Sequence, residues 1–262
     1  MIRFPMMKRI YFCLIILLGS SDQAFSQKST EVRDQTWFGY LNQMRFTKRS
    51  GLWIDLQMRY TDHFIRQKSQ SFLRFSYTYY LTDGVRLSAG YAYITNYGQN
   101  GTANLPEHQP WQQVQWLEKK KSFNITQWFR IEERFRRMAT AGVFTEGYAF
   151  NWHFRCGIGL IFALRGKTLA PKTPFLFFGD ELLINAGRQI VNNYFDQNRI
   201  TVGFGYQITS RLNVQLSYVD SFQQLPAGNQ YVNINAVRLF IFHSMDLRKK
   251  VTAERSPGYS PN

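Results

Sequence analysis

Hydrophobic and polar residues alternate along most of the chain. In the clearest stretch, Ile54 and Leu56 fall on one face of an extended segment, and Asp55 and Arg59 fall on the other. Comparable stretches of roughly ten residues recur through residues 36–243. Successive side chains of a strand point to opposite faces, so a period of two indicates strands with one apolar and one polar face.

The alternation predicts eleven strands separated by connections of unequal length. The strands are expected near residues 36–47, 51–63, 70–82, 85–97, 110–118, 122–137, 148–164, 174–186, 197–208, 211–220 and 230–243. Tight connections are expected at residues 48–50, 82–84, 119–121 and 209–210, and long ones at 98–109, 139–147, 187–196 and 221–229. Alternating short turns and long loops are typical of outer-membrane barrels, with the turns in the periplasm.

The fold class that follows is all-β, an antiparallel transmembrane β-barrel of about 10 to 12 strands. Beyond the N-terminus no segment carries the ~18 consecutive apolar residues that a spanning helix needs. A barrel pairs its backbone groups between strands, and only half of its side chains must face lipid. Aromatic residues make up 17% of the chain, with 23 Phe and 15 Tyr, as expected for girdles at the two membrane interfaces. A soluble β-protein would rarely sustain so many long strands with an Arg-rich polar face.

The strand count raises a problem of direction. Eleven strands place the two ends of the barrel segment on opposite sides of the membrane, whereas bacterial single-chain barrels have even strand numbers. Three solutions are open: a twelfth strand within residues 28–34, an N-terminal segment that threads the lumen, or one strand split or merged elsewhere. We favour twelve strands.

The two ends of the chain differ from the barrel segment. Lys8 and Arg9 precede an apolar run at residues 10–19, and small residues follow near 24–26, a pattern typical of a cleaved secretion signal. We therefore predict a signal peptide at 1–26, the barrel at 27–247, and a basic flexible tail at 248–262. The predicted location is the bacterial outer membrane.

Three short segments resemble a known family when taken in order. They are WFRIEERF at residues 128–135, GDELLIN at 179–185 and FDQNR at 195–199. In sequence and strand phase they resemble an uncharacterised family of predicted outer-membrane barrels in Bacteroidetes-type and other Gram-negative bacteria, a domain of unknown function. The resemblance covers nearly all of the predicted mature chain. It implies an outer-membrane barrel and no established activity.

The polar faces predict a strongly cationic lumen. The candidate lining residues are Arg45, Arg59, Arg74, Arg86, Arg130, Glu132, Arg134, Arg136, Arg155, Glu181 and Arg199, with Asp55 and Asp180 as further acidic candidates. A guanidinium is always charged and offers a planar fork to carboxylates and phosphates. The excess of arginine therefore favours a small passive pore or binding barrel that attracts small anionic solutes, with no cofactor and no covalent step.

Two structural interpretations of the same arginines remain open. In a barrel of this size, interdigitated polar side chains can fill the interior and leave no path through it. Basic residues in turns and loops could instead bind lipopolysaccharide or a surface partner, which would account for part of the formal charge of +15. Nucleic acid is a poor explanation, because the basic residues are dispersed and the chain carries an export signal.

A lipid-modifying enzyme is a further alternative, although no catalytic residue is assigned. Such chemistry needs a nucleophile activated by a base, and the four histidines are His63, His108, His153 and His243. His153 shares a face with Asn151, but no serine partner is recognisable. The few His, Asp and Glu residues are scattered, so no metal site is predicted.

Two pairs of glycines also lie on the predicted inward face. They are Gly157 with Gly159 and Gly203 with Gly205, each pair two residues apart within one strand. Missing side chains at these positions are expected to leave room for arginines opposite.

Overall fold

The computed structural model describes residues 28–62, 65–98, 102–120, 123–140, 142–166 and 169–248. Every regular element in these ranges is a β-strand. The strands are β1 (Ser29–Arg45), β2 (Ser50–Thr61), β3 (Gln67–Tyr80), β4 (Val85–Asn96), β5 (Leu105–Lys119), β6 (Phe123–Thr140), β7 (Val143–Ala163), β8 (Thr173–Ala186), β9 (Phe195–Gln207), β10 (Leu212–Gln224) and β11 (Gln230–Asp246). They form one closed barrel in chain order, which confirms the predicted fold class.

The barrel closes through a parallel pair of strands. Ten of its neighbouring pairs are antiparallel, whereas β1 and β11 run in the same direction, with Ser29 opposite Gln230 and Arg45 opposite Asp246. Parallel closure lets an odd number of strands form a complete ring, because the first and last strands then point to the same end. The preference for twelve strands is therefore wrong for the described residues: residues 29–34, where a twelfth strand was considered, form the beginning of β1.

Three of the tight turns share one local structure. In each, a threonine hydroxyl accepts hydrogen bonds from the backbone N–H groups two and three residues later. The threonines are Thr47, Thr82 and Thr209. Hydroxyls that bond to nearby backbone in this way favour turns over continued strands. These turns all lie at one end of the barrel, which we call the turn end; the opposite end is the loop end.

Buried and exposed residues alternate along the strands. Many of the buried residues are polar, whereas the buried residues of a soluble protein are mostly apolar. In β3, Arg74 and Ser76 are buried, whereas the residue that precedes each of them, Leu73 and Phe75, is about half exposed. Residues of the first set point into the barrel, and residues of the second set cover its outer wall. The alternation predicted for the chain thus places polar groups inside and apolar groups outside.

Two predicted loops are wrong in extent. Residues 139–147 were expected to form a long loop, but β6 and β7 continue into them, and only residues 141 and 142 separate the two strands. Beyond the register with β5, which ends at Arg136, the pair continues as a two-stranded extension at the loop end. Part of the predicted loop 98–109 is also strand, because β5 begins at Leu105.

The predicted signal peptide, residues 1–26, lies outside the described residues, as does the predicted tail apart from Arg248. His63 is also outside them. In the part of the chain that is described, no helix has the length and apolar character needed to cross a membrane.

Candidate functional site in the barrel interior

Strand alternation brings most of the chain's candidate ionisable residues into the barrel. The inward carboxylates among the described residues are Asp55, Glu107, Glu132, Glu181 and Asp196, and the inward arginines are Arg59, Arg74, Arg86, Arg130, Arg134, Arg136, Arg155, Arg199 and Arg238. Arginines outnumber carboxylates, so every guanidinium cannot have a carboxylate of its own. How the carboxylates are shared decides what the interior can do.

Arg155 lies at the centre of the paired region. Its Nη1 is 2.9 Å from Oε1 of Glu132, and its Nη2 is 2.7 Å from Oε1 of Glu181. Arg199 binds the second oxygen of Glu181 at 3.1 Å, and the indole of Trp128 donates to Glu181 at 3.1 Å. One guanidinium therefore connects the three neighbouring strands β6, β7 and β8 on the inner face of the barrel.

His153 is held between two carboxylates on the loop side of this centre. Its Nδ1 is 2.7 Å from Oε2 of Glu132, and its Nε2 is 3.1 Å from Oδ2 of Asp196. Asn185 also donates to Asp196, at 3.1 Å. Both ring nitrogens of the buried imidazole are thus occupied. A general base needs a ring nitrogen within reach of the nucleophile, so this geometry gives no support to a lipase role for His153.

A β-bulge brings Asp196 into the interior. The register between β8 and β9 shifts between Leu183 and Ile184, which pair with Gln197 and Phe195, so Asp196 has no partner opposite it. Asp196 and Gln197 are consecutive residues, and both are buried. A bulge redirects one side chain relative to strict alternation. Here it supplies the second carboxylate for His153.

A second group of contacts lies on the loop side, with one ion pair and two hydrogen bonds to asparagines. Arg134 donates from Nε and Nη2 to the two oxygens of Glu107 at 2.5 and 3.1 Å, a bidentate pair. Arg136 donates to Asn151 at 2.9 Å, and Asn151 donates to Asn185 at 3.0 Å. We call the following residues the loop-side network: Glu107, Glu132, Arg134, Arg136, Asn151, His153, Asn185 and Asp196.

The turn-side half of the lumen contains a cavity of about 420 Å³. It extends toward the turn end as far as Gln43, Arg86 and Ser244, and it does not include the loop-side network. Its charged lining consists of Asp55, Arg59, Arg74, Arg86, Arg130, Arg155, Glu181, Arg199 and Arg238, together with Asp180 at its edge. This volume lies at the small end of the range for ligand pockets, about 300 to 1,000 Å³.

Several arginines of the cavity rest on aromatic rings. Some cavity arginines also pair with carboxylates, among them Arg74 with Asp55 at 3.3 Å and Arg130 with Glu132 at 3.4 Å. The guanidinium of Arg59 lies 3.8 Å from the ring centre of Trp37, and that of Arg238 lies 4.7 Å from the ring centre of Phe240. Arg130 lies 4.3 Å from the ring centre of Trp111. Stacking leaves the edge of a guanidinium, where its N–H groups point, free to bind an anion.

Hydrogen-bond donors of these arginines also lack acceptors. Among the described residues, Arg59 and Arg238 form no ion pair; their side chains donate to Gln70 at 3.0 Å and to Ser217 at 3.0 Å. The buried Nε groups of Arg59, Arg74 and Arg199 have no protein partner in the described part of the chain. A buried donor without an acceptor is unfavourable, so these groups mark a place for an additional acceptor.

Two predicted lining residues do not join the interior set. Arg45 lies at the rim of the turn end, where it stacks on Tyr80 and donates to Asp83 at 2.7 Å; this hydrogen bond lowers the pKa of Asp83. Asp180, an acidic candidate, follows the outward phase of β8 and accepts from Asn198 at 2.8 Å.

The glycines make room for aromatic rings and not for arginines. A Cβ on Gly157 would lie 2.1 Å from the indole of Trp128, and one on Gly205 would lie 2.1 Å from the ring of Phe175. Gly157 faces Trp128 directly across the β6–β7 pair. At Gly157 and Gly205 the neighbour that approaches is therefore an aromatic ring and not an arginine, because the rings occupy the space.

Sequence reasoning missed three interior charges. Glu107 fell within the predicted loop 98–109, although β5 begins at Leu105. Asp196 depends on the bulge, which alternation alone does not reveal. Arg238 lies in a segment whose even-numbered and odd-numbered positions both carry apolar residues, so alternation did not predict a polar face there. In all three cases the missing information was the pairing of neighbouring strands.

The remaining histidines and possible metal ligands add no second site. His108 is part of β5 and packs its ring near those of Tyr91, Tyr93 and Tyr148, and His243 hydrogen-bonds to the hydroxyl of Tyr40 at 3.1 Å. Among the described residues, no three His, Cys, Asp or Glu side chains are grouped as metal ligands would be.

Comparison with known proteins identifies the family of this chain. No curated protein and no solved structure matches the chain. A family model described as a protein of unknown function (DUF2490) matches residues 34–232, from the middle of β1 to the beginning of β11. The match covers well over half of the 262 residues and includes both the loop-side network and most of the cavity lining. The chain therefore belongs to the DUF2490 family.

Proposed function

We propose that this protein is an outer-membrane barrel that binds small anionic solutes within its lumen and does not conduct them freely. The proposal combines an apolar outer wall with a cationic, partly hollow interior. Residues on the outer wall with at least 38% exposure include Leu56, Leu73, Phe75, Tyr77, Phe129, Phe178, Ile200, Val202, Phe204, Leu216, Tyr218, Leu239 and Ile241. Such a wall would be unfavourable in water and suits hydrocarbon flanked by aromatic girdles.

The observation that carries the binding role is the cavity itself. It brings seven arginines together with two inward carboxylates, Asp55 and Glu181, and the buried Nε groups of Arg59, Arg74 and Arg199 lack acceptors among the described residues. An anion in the cavity would accept from these groups and offset the mutual repulsion of the guanidinium groups. The loop-side network supplies acceptors for most of its own donors: among the described residues, the buried Nε of Arg136 is its one guanidinium Nε without a partner, against three in the cavity.

The loop-side network argues for binding over free conduction. The two oxygens of Glu107 are taken by Arg134, and both nitrogens of His153 are taken by carboxylates. These contacts lie among the consecutive strands β5 to β9 and fill that side of the lumen.

Other contacts reach between strands that are not neighbours: Arg86 of β4 donates to Gln43 of β1 at 3.2 Å, and the guanidinium of Arg130 on β6 lies 5.8 Å from the ring centre of Trp53 on β2. A lumen narrowed in this way is expected to conduct little at rest, which makes the broader expectation of a passive pore more specific.

The test uses the mature chain refolded in detergent, with folding checked by heat-modifiable gel mobility. Insertion into a planar bilayer under a salt gradient should give few or no conductance steps. Thermal unfolding at constant ionic strength should shift to higher temperature when chloride is replaced by phosphate. Frequent, long-lived, anion-selective steps would overturn the closed state, and an unfolding temperature indifferent to the anion would overturn the binding role.

A second function is favoured by the β6–β7 extension. Val143 and Phe144 at its tip are 69% and 49% exposed, and Arg137 lies 5.7 Å from the ring centre of Phe144 and 5.4 Å from that of Tyr148. Basic and apolar groups side by side suit the phosphates and acyl chains of lipopolysaccharide. Purified lipopolysaccharide should then bind the wild-type barrel more tightly than a variant carrying Arg137→Gln and Phe144→Ser, and equal binding would reject this role.

A further inference from the structure

Two arginines with no carboxylate partner among the described residues, Arg59 and Arg238, and one that shares its carboxylate, Arg199, lie near the parallel closure of the barrel. Trp37 of β1 stands opposite Arg59 of β2 and opposite Arg238 of β11. Arg199 reaches the same indole from β9, with its guanidinium 5.2 Å from the ring centre. We call Arg59, Arg199 and Arg238 the seam arginines. The guanidinium of Arg59 lies 3.8 Å from that ring centre, whereas that of Arg238 stacks on the rings of two phenylalanines. Positive groups gathered at one end of a cavity form a focused site for a negative charge.

Carboxylates of the chain only partly compensate the seam arginines. Glu181 binds Arg199 at 3.1 Å but is shared with Arg155, while Arg59 and Arg238 bind neutral partners. The Nε groups of Arg59 and Arg199 are buried without an acceptor among the described residues. A planar oxyanion could accept from two guanidinium edges at once.

An apolar surface leads from the seam arginines toward the turn end. Phe240 and Phe242 of β11 lie two and four residues beyond Arg238, and Leu41 of β1 pairs with Phe242. All three line the cavity, as does Phe177, whose ring centre is 5.3 Å from the guanidinium of Arg238. At about 3.3 Å per residue, this surface continues for roughly 13 Å along the strands.

Gly39 allows the apolar surface to form. It pairs with Phe240, and a Cβ at this position would lie 2.8 Å from the Phe240 ring. The missing side chain lets the ring lie over the β1 backbone, between the seam arginines and Phe242. The cavity therefore has a cationic inner end and an apolar wall that continues toward the turns.

We propose that the cavity binds an organic acid with one oxyanion head and an apolar body. The head lies among the seam arginines, and the body packs on Leu41, Phe240 and Phe242. This assignment rests on the proposed anion-binding function and adds the class of solute. A simple inorganic anion would fill the head site and leave the apolar wall uncovered, so the wall should add affinity.

The experiment measures binding by calorimetry to the refolded barrel in nanodiscs of neutral phosphatidylcholine, with empty nanodiscs as the blank. The probes are 3-phenylpropanoate, its neutral analogue 3-phenylpropan-1-ol, acetate as the head alone, and inorganic phosphate. The expected result is that 3-phenylpropanoate binds at least about tenfold more tightly than acetate or the alcohol. Equal affinities for 3-phenylpropanoate and acetate would overturn the apolar half of the assignment.

Variants separate the head from the body. Arg238→Gln and Arg59→Gln should each weaken binding of 3-phenylpropanoate at least about tenfold, whereas Arg211→Gln, the same charge change in an exposed turn, should leave it unchanged. Phe242→Ala, which removes part of the apolar wall beyond the rings that contact Arg238, should weaken 3-phenylpropanoate and leave phosphate unaffected. Folding of each variant is checked by heat-modifiable mobility. If a glutamine variant does not fold, the lysine variant at the same position, Arg238→Lys or Arg59→Lys, replaces it.

The outcomes also distinguish this assignment from the function on which it rests. Phosphate that raises the unfolding temperature through the cavity arginines, with no preference for 3-phenylpropanoate, would retain anion binding and reject the organic acid. Loss of affinity equal in the Arg211 and Arg238 variants would reject the seam site. Absence of any anion effect in wild type would reject both.

Discussion

Arginines in the two halves of the lumen bind different kinds of partner. On the loop side, Arg134 and the centre at Arg155 are bound to carboxylates in two-point contacts. On the turn side, Arg59 and Arg238 stack on aromatic rings and bind neutral partners. An interior arginine is therefore no evidence of function by itself. Its partners decide whether it holds the fold together or remains available to a ligand.

The largest expected effect comes from breaking the paired region at Glu132. This carboxylate is 2% exposed and contacts Arg130, Arg155 and His153. Glu132→Gln leaves these cationic and polar groups without their shared anion, so the free energy of unfolding should fall by about 3 to 5 kcal/mol, the usual cost of removing one partner of a buried pair. Urea unfolding of the refolded barrel in detergent measures it.

The control for Glu132→Gln is the same substitution at Glu118. That carboxylate lies 3.3 Å from Lys120 near a turn, and both side chains are more than one-third exposed. Exposed pairs contribute about 0 to 1 kcal/mol, so Glu118→Gln should change stability little. Similar losses for the two variants would show that the buried network does not hold the loop side together.

Gly157→Ala should have the next largest effect. Its Cβ would lie 2.1 Å from Trp128, whose indole also donates to Glu181, so the ring must move and its hydrogen bond is disturbed. Inserting a methyl group into a packed interior costs about 1 to 3 kcal/mol. Gly159→Ala, in the same strand and on the same face, is the matched control, because its nearest neighbour would be 3.8 Å away. Equal unfolding midpoints in urea would show that the indole does not depend on this gap.

Asp196→Asn tests the contribution of the bulge to the loop-side network. The carboxylate accepts from His153 and Asn185 in the interior, and hydrogen bonds to a charged group contribute about 1.5 to 3 kcal/mol. The expected loss is about 1 to 2 kcal/mol, because an amide oxygen retains part of the bonding. Asp180→Asn on the outer face should cause no loss of stability. A larger loss at Asp180 than at Asp196 would contradict the assigned faces.

The sequence predicted the halves of the lumen unequally well. Alternation is a local property, so the inward positions of Arg59, Arg74 and Arg130 could be inferred from residues two apart. Whether each arginine has a partner depends on the strands beside and across from it, which no local pattern specifies. The parallel closure and the bulge at Asp196 were missed for the same reason, since both are properties of strand pairing.

The predicted boundaries show the same limit. Where apolar and polar residues alternate without interruption, as in β2, the predicted and observed strands nearly coincide. Prolines in β5 and the glycines near the β6–β7 connection suggested loops, yet pairing with neighbouring strands holds both segments extended. The preference of proline and glycine for loops is overridden when pairing with neighbouring strands supplies the backbone hydrogen bonds.

The smallest expected effect on stability is also the sharpest test of the difference between the two halves. Arg238→Gln removes a partly buried charge that has no carboxylate partner among the described residues, so no anion is left unpaired. The lost stacking on Phe240 and Phe177, worth about 0.5 to 2 kcal/mol, is offset by relief from desolvation and from repulsion by Arg199. The free energy of unfolding should therefore stay within about 1 kcal/mol of wild type in anion-poor buffer.

Arg155→Gln is the companion variant on the paired side. It takes a shared guanidinium away from Glu132 and Glu181 at once. Glu132 then keeps Arg130 and His153, and Glu181 keeps Arg199. The substitution should therefore lower stability by about 3 to 5 kcal/mol under the same conditions. The contrast should narrow in phosphate, because only the Arg238 variant loses an anion that stabilises the folded barrel by binding to it. If Arg238→Gln is as destabilising as Arg155→Gln without any added anion, the turn-side arginines are structural, and the distinction between paired and available arginines fails.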